Sequence, residues 1–148
     1  AFSPSSALYQ KLVLKEQKCL TLEAGFDDTR DPSLLTFTSV VKKEDDLPSV
    51  EGEIFKELDL LKTEPVSAEL LAQVKSNLKY SLADELGTTD GVAGVLAFYL
   101  NLTADPASLN KVYGLYEKVT PADIQAAAKK YFVKSASTVA TLGEGKTQ

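Results

Sequence analysis

The sequence predicts an α+β fold in which an antiparallel-rich sheet is covered by several helices. Three observations predict it. Apolar residues alternate with polar ones from Leu20 to Phe26, the period-two pattern of a half-buried strand. The turn-forming "DDTRDPS" is followed by the β-branched and aromatic "LLTFTSVV" (34–41), so the two runs read as an antiparallel hairpin. From Val50 onward the period changes to three and four residues, the spacing of amphipathic helices packed on one face.

Each element can be justified in order. Ser6 to Lys15 carries Leu8 and Leu12 at helical spacing and stops near Gln17. After the hairpin and the polar "KKEDD", Val50, Ile54, Leu58 and Leu61 form the inward stripe of a helix that "TEPV" ends. Ser67 caps the next helix, with Glu69 in its positive first turn and Leu70, Leu71, Val74, Leu78 and Leu82 as its apolar face. Leu78, midway along that stripe, is expected in the core. "GTTDG" then interrupts, and a helix with Val92, Val95, Leu96, Tyr99 and Leu100 on one side follows. Another begins at about Pro106, with Leu109, Val112, Tyr113 and Tyr116 as its stripe. In "VTPADIQAAAKKYF", Thr120 precedes Pro121 at the first helical position and Asp123 occupies the acid position of a capping box. Ile124, Ala127, Ala128 and Tyr131 face inward in this last helix, "STVATLG" (137–143) reads as a closing strand, and the tail at 144–148 is expected to fray.

Composition limits what the chain can do. At 148 residues and 44% hydrophobic it has the length of one domain with one core, so 1–148 is expected to form a single domain. The net charge of -5 and the dispersed lysines exclude a nucleic-acid surface, which needs clustered Lys and Arg. No apolar run is long enough to cross a bilayer and no signal peptide is visible. A water-soluble chain without a membrane partner is expected, in a compartment that these residues do not name. One cysteine cannot close an internal disulfide, and the lack of histidine removes the commonest general base and zinc ligand. The chain also has no methionine, even at position 1, and its first helix begins almost at Ala1. An excised piece, with part of the sheet upstream and an unpaired strand edge open to self-association, is the expectation.

Taken together, "SPSSALYQKL", "AGFDDTRDPSLLTF", "EPVSAELLAQVKSNLKYSL" and "VTPADIQAAAKKYF" come in an order and at spacings that resemble the later part of a domain of the pitrilysin/insulinase zinc peptidases. That family includes the mitochondrial processing peptidase. The resemblance runs from about Ser3 to Gly143 and implies a half-domain of a clamshell chamber, in which only the other half carries the inverted zinc motif H-x-x-E-H. This sequence has no such motif, so the resemblance implies a non-catalytic C-terminal half-domain, without catalytic or metal-binding residues of its own. Zinc is then expected in the catalytic half, which is a domain of the same protein or a partner subunit, with an unfolded peptide as substrate. In many relatives the non-catalytic half brings an arginine and, seven positions later, a tyrosine to the substrate. The matching positions here are Val13 and Leu20, which have no polar side-chain atom. These two are the candidate substrate-facing positions, with the polar pair missing. A structural subunit of the same fold, without any peptidase role, is the alternative reading.

Other motifs have plainer readings. Cys19 as a nucleophile lacks a histidine to activate it, and a half-buried structural thiol is expected. Asp27, Asp28 and Asp31 lack the alternate-position pattern of a calcium loop and read as a turn. Gly87 to Gly94 has neither the Walker lysine nor dinucleotide spacing and reads as helix punctuation. Asp84 and Glu85 are adjacent on a helix and point in different directions, so they read as solvated charges and not as an acid and base pair. Tyr99, Tyr113, Tyr116 and Tyr131 fall on apolar stripes and read as core residues with their hydroxyls at the rim.

Overall fold

Ser6 starts the first helix as the patterning requires, its hydroxyl accepting the Tyr9 N–H at 3.2 Å. In the computed structural model, which describes residues 2–105 and 107–143, this helix is short. After α1 (Ala7–Tyr9) the backbone widens into a π-helical turn over Gln10–Lys15. Gln17 then adopts φ 52°, which reverses the chain, and the Lys18 N–H reaches back to the Leu12 carbonyl at 2.9 Å. The chain divides into two compact units.

The first unit comprises the described residues within 1–27, 33–63 and 127–148. Its sheet is the antiparallel pair β1 (Cys19–Phe26) and β2 (Leu35–Val41), in register from Thr21 opposite Val40 to Phe26 opposite Leu35. Cys19 opposes Val41, so β1 holds one residue more than β2 between these two pairings, and Leu20 is the extra residue of a β-bulge. The long helix α2 (Leu47–Thr63) follows β2. Leu8, Leu12, Cys19, Leu22 and Val50 form the buried cluster of this unit, with Phe2, Tyr9, Val13, Val41 and Ile54 packed around it. The Phe37 ring lies 4.7 Å from that of Phe2 and 6.0 Å from that of Phe132.

The second unit comprises residues 28–32 and the described residues of 64–126. It holds α3 (Ala68–Glu85), α4 (Thr89–Thr103), α5 (Ser108–Lys118) and the first turns of α6 (Pro121–Tyr131), whose last residues belong to the first unit. Local side-chain bonds set the helix starts. Ser67 accepts the Leu70 N–H at 3.1 Å and Thr88 accepts the Gly91 N–H at 3.0 Å. Thr120 and Asp123 form a reciprocal box, in which Asp123 accepts from the Thr120 N–H and hydroxyl at 2.8 and 2.7 Å while its own N–H donates to Thr120 Oγ1 at 3.2 Å. At the far end of α5, Lys75 from α3 donates to the Glu117 and Val119 carbonyls at 2.8 and 2.6 Å, satisfying groups that the helix leaves open.

The structure corrects several expectations. Residues 137–143 form no strand: Ser137 has extended angles, but these residues have no ladder partner among the described residues. Composition supplies strand propensity, whereas a strand needs a neighbour to take its N–H and C=O groups. Leu78 is 43% exposed rather than buried, and Leu70 and Val74 on the same face are exposed with it; Leu71 alone of that stripe is buried. Tyr116 and Tyr131 are also exposed, while Tyr99 and Tyr113 are half-buried and burial raises the pKa of their hydroxyls. Cys19 is buried outright, at 1% exposure, rather than half-buried. The expected tail at 144–148 and the Pro106 helix start lie outside the described residues. No single helix among the described residues is long and apolar enough to cross a membrane.

Candidate functional site

Three departures from regular backbone geometry fall within the segment from Gln10 to Thr21, and both candidate positions lie in it. The π-helical turn holds Val13, the left-handed residue is Gln17, and the bulge is at Leu20. π-Turns and bulges re-aim side chains and are found often at functional sites. A non-glycine residue in the left-handed region costs about 1–2 kcal/mol.

The bulge decides where Leu20 goes. Strict alternation would put Leu20 and Leu22 on one face of β1, but the observed burial makes Cys19 and Leu22 the inward pair, three residues apart. Leu20 is turned out and is 57% exposed. Val13 is half-buried and packs against the core cluster beside Leu12. One candidate position therefore faces the core and the other faces solvent. Neither can donate or accept a hydrogen bond through its side chain, so neither can bind or polarise a peptide carbonyl.

Three charged groups of this segment, Lys11, Glu16 and Lys18, are tied to one another and to α2. Lys11 Nζ lies 2.6 Å from Glu53 Oε1 on α2, and Lys18 Nζ lies 3.0 Å from both Glu16 Oε2 and Ser49 Oγ. The Glu16 hydrogen bond raises the pKa of Lys18, and the Lys11 hydrogen bond lowers that of Glu53. The two cations and two carboxylates of this cluster balance and pin the irregular segment to α2. Sequence reasoning did not find these residues as a group. Glu53 lies far along the chain from Lys11, and no local spacing signals their contact.

The remaining candidates are not brought into a catalytic arrangement. Asp27, Asp28 and Asp31 sit in the loop between the strands, where Ser33 Oγ donates to the Asp27 carbonyl at 2.9 Å and Thr29 Oγ1 to that of Asp31 at 2.7 Å. Within Gly87 to Gly94, Gly87 and Thr88 separate α3 from α4 as helix punctuation while Gly91 and Gly94 lie inside α4, and Asp84 and Glu85 are exposed. Among the described residues no group of three or more His, Cys, Asp or Glu side chains is placed to hold a metal ion. With no histidine in the sequence, the residues present do not fit the zinc site of the inverted motif.

The family model described as the Peptidase M16 inactive domain matches residues 2–78. That stretch contains α1, the π-turn, the bulged hairpin and α2. No curated protein matches the chain. Among solved structures, a protease from Helicobacter pylori is 23% identical with a TM-score of 0.81 over 90% of this chain. The likeness shows a shared fold, and the chain spans 32% of that protease's length.

Proposed function

The chain belongs to the family of the Peptidase M16 inactive domain, and on that premise we propose that it serves as a wall of a peptidase chamber, enclosing an unfolded peptide and holding the catalytic half in register. The chain is a non-catalytic half of a peptidase-family protein. Membership of the inactive-domain family implies pairing with a catalytic half, in the same or another subunit, and in this family that half is generally the zinc-dependent one. The observation that carries the proposal is the match to the inactive domain in a chain that has no histidine at all. Bond breaking in such a pair belongs to the partner, and this half contributes surface, shape and contact.

The test is reconstitution with a half that carries H-x-x-E-H. The two should co-migrate on size exclusion, and the mixture should cleave an unfolded peptide faster than the zinc-bearing half alone. Separate elution of the two halves would sink the pairing. One observation favours the second reading, a scaffolding subunit with no peptidase role: both substrate-facing positions, Val13 and Leu20, are apolar. A stable complex whose peptide cleavage is no faster than that of the zinc-bearing half alone would decide for that reading. We further propose that an open edge of the strand pair recruits a strand from a second copy, because a two-stranded sheet, as formed among the described residues, is marginal in water.

A further inference from the structure

We draw no further inference here: the strongest candidate, the open groove of about 690 Å³ between α2 and residues 134–137 in the first unit, carries charges of both signs at Glu51, Lys56, Asp59 and Lys134 that single out no ligand, and nothing in the structure shows what covers it.

Discussion

Leu12 is wholly buried, while Leu78 is 43% exposed, although both are leucines on apolar helical stripes. Leu12→Ala should therefore cost about 2–5 kcal/mol, as buried leucine deletions do, and Leu78→Ala under about 1 kcal/mol in dilute, monomeric protein. Denaturant midpoints compare the two. Glycines separate in the same way. A Cβ at Gly91 would collide with the Glu85 carbonyl, where the end of α3 abuts the start of α4, but one at Gly94 meets nothing within 4 Å. Gly91→Ala should lose about 1–3 kcal/mol to overpacking. Gly94→Ala should gain up to about 1 kcal/mol from helix propensity. At Asp123, the hydroxyl and backbone N–H of Thr120 hold the carboxyl below its usual pKa. The unfolded chain then binds that proton more readily, so the stabilisation is complete above the ordinary carboxylate range and is lost as pH falls through the lowered folded value. In acid titrations followed by melting temperature, Asp123→Asn should be less stable than the native chain at neutral pH. The gap should close toward pH 2.

At the scale of elements, the segment from the π-turn to the bulge concentrates three departures from regular backbone geometry. Gln17, at φ 52°, is the costly joint. Gln17→Gly should relieve that conformation and raise stability by up to about 1 kcal/mol, because glycine enters the left-handed region freely, although its looser unfolded chain offsets part of the gain. A lowered unfolding midpoint would mean that the glutamine side chain holds the turn by some other contact. What could be read in advance at this scale follows the range of the forces. The caps at Ser67 and at Thr120 with Asp123 were legible because each bond closes within three residues. The bulge was not, since it depends on how Val40 and Val41 meet β1 while Cys19 turns inward. Residues 137–143 were misread for the same reason, as propensity is local and pairing is not. The α3 stripe was identified correctly as apolar, but periodicity names a face without naming what covers it.

For the whole molecule, the inactive-domain assignment accounts for several observations at once. The match to residues 2–78 makes the chain a non-catalytic half of a peptidase-family protein, and the missing histidine agrees with it, since the inverted zinc motif needs two. The family resemblance was legible in the sequence because ordered caps, turns and stripes survive when individual side chains change. The apolar character of the candidate positions Val13 and Leu20 was legible as well, whereas their opposite orientations needed the bulge and the π-turn. The central claim is that this half has no peptidase chemistry of its own. Hydrolysis of an unfolded fluorogenic peptide by the purified chain, with zinc supplied, tests it most directly. The account predicts a rate equal to that of buffer with zinc alone. Turnover that scales with chain concentration and is abolished by a zinc chelator would contradict it.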